Sequence, residues 1–173
     1  MTVKFSCLYL FPFLLFGQTF EVSNSSKITY YGSHFTSDWQ GHSSGFRGRI
    51  IYDAVNQTTN SCSLRVDLAT FDSGNSNRDS NMLTYLDVFQ YPDVMFVSNE
   101  IFVEGINASI KGKLTFHGIT KDINLRANIS FNDGFNAEGS FIILLSEYEV
   151  ERPVLLFKKI ADEMKLKFHI VAK

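Results

Sequence analysis

Four histidines, His34, His42, His117 and His169, and two cysteines, Cys7 and Cys62, are the side chains best suited to metal or nucleophilic chemistry in this sequence. A structural zinc ion needs four such ligands, and their spacing usually shows as HExxH or paired CxxC. Neither spacing occurs. His34 and His42 could meet across a hairpin, but two ligands do not make a site, so no metal is expected. Gly41-His42-Ser43-Ser44-Gly45 has the length of a nucleophile elbow. That motif requires a strand-to-helix turn with an oxyanion hole behind it, whereas Ser43 lies between two strands. There is no P-loop and no GxGxxG after a strand. His117 heads the turn His117-Gly118-Ile119-Thr120-Lys121, and its period places it outward or on the rim, as a turn-fixing hydrogen bonder. No catalytic residue is assigned and no enzyme is expected; a barrel enzyme using His117 or His34 is the least supported alternative.

Arg78-Asp79 is the sharpest charged pair. Two roles are open for Arg78. Its guanidinium is a rigid donor fork suited to the polar head of a ligand at a cavity mouth. Alternatively, it pairs with a carboxylate such as Asp67 or Asp87 while Asp79 caps a helix. Cys62 has no disulfide partner once Cys7 is assigned to an apolar leader, and it reads as a small buried strand residue.

The elements that must position these residues centre on 64–92. Leu64, Val66, Leu68 and Thr70 alternate with Arg65, Asp67, Ala69 and Phe71 at period two, which predicts a strand. Asp72-Ser73-Gly74-Asn75-Ser76-Asn77 is a polar break. The period then turns helical: Leu83, Leu86 and Phe89 should share one face pressed on the sheet, with Asp79 and Ser80 at the start and Pro92 ending the run. Upstream, 18–26 reads as a loose arm, 26–32, 35–40 and 45–55 as strands, and 56–61 as a polar turn. Downstream, 94–103 reads as a strand broken at Ser98-Asn99-Glu100. Strict alternation then recurs over 108–116, 123–131, 135–143 and 164–172, with Asn132-Asp133-Gly134 as a hairpin turn. Residues 146–163 fit neither period. Apolar-in, polar-out alternation with short turns marks antiparallel strands with one wet face. The fold class is all-β: an antiparallel barrel of about eight strands with one short helix inserted after the fourth. Gly48, Gly112, Ala127, Ala137 and Gly139 fall on the inner face, where they either leave volume unfilled or mark bends.

The chain has 173 residues, enough for one domain, and a formal charge of −2 with 20% charged residues. That balance lacks the basic patch nucleic acid requires. Lys4 followed by the apolar run 5–16 has the form of a secretory leader, too short to span a bilayer, so 1–17 is expected to be a signal peptide and 18–173 the domain. No other stretch suits a membrane span. The expected location is periplasmic or secreted.

Asp72-Ser73-Gly74-Asn75, Asn77-Arg78-Asp79, Leu86-Asp87 and Tyr91-Pro92, with Leu114-Thr115-Phe116-His117-Gly118-Ile119-Thr120-Lys121 downstream, resemble the signature of the YceI family. The resemblance implies a lipocalin-like barrel that binds a polyisoprenoid lipid or isoprenoid quinone, with no other cofactor. An exported carrier or store for that amphiphile is the leading expectation. Its ligand would touch Trp39, Phe46, Phe71, Leu83, Leu86, Phe89, Phe96, Phe116 and Phe141, with Arg78 setting orientation. The alternative is an interaction module with a solid core. A dimer and transient membrane contact both stay open.

Overall fold

The structure, a computed structural model, describes residues 18–53 and 58–173. The expected leader over 1–17 lies outside the described residues, as do Asn56 and Gln57 of the expected polar turn. Along the chain run β1 (Gln18–Glu21), β2 (Lys27–His34), β3 (Ser37–Ser43), β4 (Phe46–Asp53) and β5 (Thr58–Asp67). Helix α1 (Ser76–Tyr85) follows, then β6 (Asp93–Glu104), β7 (Asn107–Phe116), β8 (Ile119–Ser130) and β9 (Phe135–Leu144). A small hairpin, β10 (Val154–Leu155) and β11 (Lys158–Lys159), precedes the last strand, β12 (Glu163–Ala172). All but the small hairpin form one antiparallel sheet in the order β1-β4-β5-β6-β7-β8-β9-β12-β2-β3.

That sheet has ten strands rather than about eight, because two long strands are each broken once. β1 and β2 pair with β4 and β3 respectively, and both flank β12, where Val22 bridges Ala172. β3 likewise runs on into β4, and His42 exchanges two backbone hydrogen bonds of 2.9 Å with Asp72 beyond the end of β5. The sheet thus curls back on itself as a barrel. Serine hydroxyls replace ladder bonds at each break. Ser26 Oγ donates to the Val171 carbonyl at 3.0 Å and accepts from its amide at 2.9 Å. Ser43 Oγ accepts from the Gly45 amide at 2.9 Å and meets Thr70 Oγ1 at 2.5 Å. Buried ladder groups need such partners, because an unpaired one costs its full desolvation.

The alternation read from sequence holds in the wall. In β7, Ala108, Leu114 and Phe116 are buried while Ser109, Lys111 and Lys113 face solvent. The expected break in β6 is a shift of register between Ser98 and Glu100. Several expectations are corrected. The supposed loose arm contributes β1, so the helix follows the fifth strand. β5 begins at Thr58 inside the expected turn, and 68–70 is a 3-10 turn capped by the Asp67 side chain. Asn75, not Asp79 or Ser80, caps α1 by accepting from the Arg78 amide at 3.0 Å. The helix stops at Tyr85, because Asp87 reverses the chain at φ 44° well before Pro92. Phe89 therefore leaves the helical period and is fully exposed, not pressed on the sheet. Phe35 and Phe131 also fall beyond the ends of their strands and are exposed.

Candidate functional site

The barrel interior holds a cavity of about 610 Å³, within the usual range for small-molecule sites. It runs from Ser37, Arg78 and Val154 at one end to Ile129 and Phe135 towards the other. The far end is closed by an aromatic plug. The Phe135 ring centroid lies 6.1 Å from Phe20 and 5.6 Å from Phe131, which in turn lies 4.7 Å from Tyr52. The near end is bordered by β3, α1 and the segment carrying the β10–β11 hairpin.

Small inner residues divide by chemistry. Ala108, Ala137 and Cys62 line the cavity and make room in its lower half. The glycines do something else. A Cβ on Gly112 would fall 2.5 Å from the Phe96 ring, and one on Gly139 would fall 2.5 Å from the Phe168 ring and 2.4 Å from the Arg126 carbonyl oxygen. Their missing side chains let neighbouring rings lie on the sheet, so Gly139 is packed and not an open position. Gly48, at φ 141°, sits where a Cβ would meet the Ser63 carbonyl oxygen, the mark of a bend. Ala127 does not border the cavity.

Of the residues expected to touch a ligand, Trp39, Phe46, Phe71, Arg78, Leu86, Phe96, Phe116 and Phe141 border the cavity. Leu83 does not; it packs half-buried on the cluster around Leu68 and Tyr148. Phe89 points to solvent. Tyr30, Met82, Leu166 and Phe168 also border it, beyond the expected set. Period two marks Leu166 and Phe168 as inward in β12, so that signal was available. Tyr30 is placed by its ring covering Gly41, its direct cross-strand partner, and no local signal announces that.

Arg78 stands at the open end with its guanidinium carbon 5.6 Å from the Trp39 ring centroid. It has no carboxylate partner among the described residues: Asp67 instead meets Arg47 at 3.7 Å, and Asp79 accepts from the Ser73 amide. Burial, and next the charge of Asp79, push the nearby Tyr30 hydroxyl above its ordinary range. Burial likewise pushes the Cys62 thiol up to about 12, so it remains a neutral wall residue. His34 is buried with Nδ1 2.8 Å from Thr36 Oγ1, while His42 is exposed on the other strand, so the two do not meet. Among the described residues no group of three candidate metal ligands forms.

The two sequence signatures converge on the frame around the open end. Asp72 accepts from the Gly74 amide at 2.7 Å and Asn75 caps α1, which together aim the helix across the mouth. His117 and Gly118 make the β7–β8 turn at φ 49° and 75°. The His117 Nδ1–H donates to the Tyr148 carbonyl at 2.9 Å. Tyr91 packs its ring 4.8 Å from His117 and fills the space a Gly118 Cβ would need. His117 is thus a turn-fixing hydrogen bonder.

An antiparallel barrel with an elongated apolar interior, closed at one end and polar-rimmed at the other, defines the lipocalin-like class. The YceI-like domain model matches residues 21–172, and the chain belongs to that family. A UPF0312 protein of Pseudomonas putida is 30% identical over 126 residues, 65% of this chain and 62% of the relative. One of Pectobacterium carotovorum is 26% identical over 135 residues, 71% of this chain and 69% of the relative. The chain therefore spans a little under two thirds of the length of the first of these curated relatives. Among solved structures, BcnA of Burkholderia cenocepacia superposes with TM-score 0.77 and 24% identity over 88% of this chain and 99% of that one. A polyisoprenoid binding domain of Saccharophagus degradans gives 0.72 and 12% over 91% and 98%. Both likenesses support the fold.

Proposed function

We propose that this protein is an exported carrier or store that holds one polyisoprenoid or isoprenoid-quinone-like amphiphile inside its barrel. The observation that carries this reading is the shape and chemistry of the cavity: long, apolar-walled, and polar only near the Arg78 end. Burial contributes roughly 0.8 kcal/mol per CH₂, so several isoprene units exceed the cost of association without a charged contact. Arg78, free of any carboxylate, then orients a polar head rather than supplying the affinity. The solved polyisoprenoid binding domain of the same fold supports the ligand class. The composition of 1–17 supports export. A solid-core interaction module is not favoured, since the interior is not solid.

The test is organic extraction and mass spectrometry of the purified full chain, followed by titration with isoprenoid quinones. One isoprenoid lipid per chain is expected. Arg78→Leu should keep apolar dye uptake while weakening discrimination between head groups. No stoichiometric lipid together with no quinone binding rejects the proposal.

A further inference from the structure

The β10–β11 hairpin carries the one run of consecutive large apolar residues left exposed among the described residues. Val154, Leu155, Leu156 and Phe157 all face solvent, and Phe157 is 100% exposed. The strands pair only as Val154 with Lys159 and Leu155 with Lys158. Leu156 and Phe157 turn the chain at φ 47° and 70°. Such positions favour Asn and Gly, and a bulky residue there is an outlier. A loop tip needing only to be soluble would not carry Leu-Phe at these angles.

The base of the hairpin is braced. Ile160 N–H donates to the Pro153 carbonyl at 3.1 Å and Ala161 N–H to the Ser33 carbonyl at 2.8 Å. Arg152 donates to the Ile160 carbonyl at 3.1 Å and meets Asp162 at 3.5 Å. Asp162 accepts from the Ser146 amide and hydroxyl. A firm stalk therefore holds an apolar tip outward. Lys158 and Lys159 follow the tip directly and are exposed. Lys158 Nζ lies 4.9 Å from the ring centroid of Phe35, itself exposed on the β2–β3 turn, so Phe35 extends the apolar patch. Neither lysine meets a carboxylate among the described residues. Val154 and Leu155 border the cavity as well, which makes the tip continuous with its mouth.

We propose that this hairpin docks the barrel on an anionic lipid bilayer, with Leu156 and Phe157 entering the acyl boundary and Lys158 and Lys159 on the headgroups. Interfacial binding needs apolar side chains backed by cationic ones, and this is that pairing at small scale. A protein partner is disfavoured by size, because a tip of a few side chains falls well short of the roughly 800 Å² per partner that a stable interface buries. A ladder two pairs long also offers little edge for a partner strand to extend. Docked this way, the mouth faces the membrane, so the inference deepens the carrier reading while the docking step stands without it.

The test is co-sedimentation of the full chain with vesicles of phosphatidylcholine, with and without phosphatidylglycerol. The wild type is expected to pellet with the phosphatidylglycerol vesicles and to be released by salt. Leu156→Ser with Phe157→Ser should lower partitioning about tenfold or more, and Lys158→Glu with Lys159→Glu should do the same and remove the salt dependence. These residues do not border the cavity, so both variants should keep wild-type dye uptake, which also shows that they are folded. Docking without dye or lipid uptake would reject the cargo reading and leave docking in place. Three results overturn the docking proposal: no wild-type binding to either vesicle, binding that survives the hairpin substitutions, or a dimer in solution that those substitutions abolish.

Discussion

The two ends of the barrel are built from similar residue types and do opposite things. At the closed end, Phe20, Tyr52, Phe131 and Phe135 turn their rings towards one another and stop the cavity. At the open end, Tyr30 and Phe71 also meet, with ring centroids 5.8 Å apart, but they and Trp39 border the space rather than stop it, beside Arg78 and the N-terminal turn of α1. The difference lies in what brings the rings. The plug comes from strand ends and one tight turn, so its rings converge. The mouth is spanned by a helix and two hairpins whose caps, at Asn75 and the His117-Gly118 turn, hold them apart. Aromatic content alone does not distinguish a core from a binding site; the frame around it does.

Truncation should read this contrast most strongly at the plug. Phe135→Ala is expected to cost about 3–5 kcal/mol in a denaturant titration, because the rings of Phe20 and Phe131 lose their shared neighbour. A loss below about 1 kcal/mol would mean that the closed end is not closed by packing.

Next in size is a pair of substitutions within β9. Gly139→Leu drives into the Phe168 ring and the Arg126 carbonyl, and overpacking of this kind costs about 1–3 kcal/mol or more. Ala137→Phe points into the cavity and should leave the fold intact while abolishing dye uptake. Equal destabilisation by both would erase the distinction between packed glycines and cavity alanines.

Leu86 sharpens the comparison further. It is buried and yet borders the cavity, so Leu86→Ala should cost about 2 kcal/mol, near the low end for a buried leucine, in the empty protein and more with ligand bound. The same midpoint shift with and without ligand would place Leu86 in the packed frame only.

The smallest effect is pH-dependent and confined to the open end. Hydrogen bonds from the Ser146 hydroxyl and amide, with Arg152 adding charge, hold the Asp162 carboxyl below the ordinary carboxylate range. A depressed value means that its stabilisation is complete above the unfolded pKa, about 4, and is lost as pH falls through the folded value. Hydrogen exchange below pH 4 should therefore rise at the base of the β10–β11 hairpin before it rises around Phe135. Simultaneous loosening at both ends would show that Asp162 braces nothing locally.

Much of this was open to reading along the chain. Period-two alternation over 108–116 and 135–143 assigned inner and outer faces because a pleated strand leaves no other choice once one face is wet. The polar break before a helical period located α1, and the signature from Asp72 to Pro92 falls on the frame of the mouth. Eight of the ten expected ligand contacts border the cavity: inward periodicity marks strand residues such as Phe46, Phe116 and Phe141, whereas Phe71, in the alternating set with Arg65 and Asp67, reaches the wall after the 3-10 turn over 68–70.

What the chain alone left undecided concerns contacts between residues distant in sequence. The breaks that raise the strand count depend on Ser26 meeting Val171 and Ser43 meeting Thr70. Within the run 18–26, Gln18–Glu21 forms a strand because β4 offers it a partner, with Val22 bridging Ala172 of β12. The fate of Phe89 turned on a reversal at Asp87, where a non-glycine residue at positive φ gives little local warning. Whether an inner glycine left space or received a ring depended on the residue across the strand, Phe96 for Gly112 and Phe168 for Gly139. Sequence determined which side chains face inward; tertiary structure decided where they touch and where they leave a cavity, because packing is set by neighbours that local periodicity does not identify.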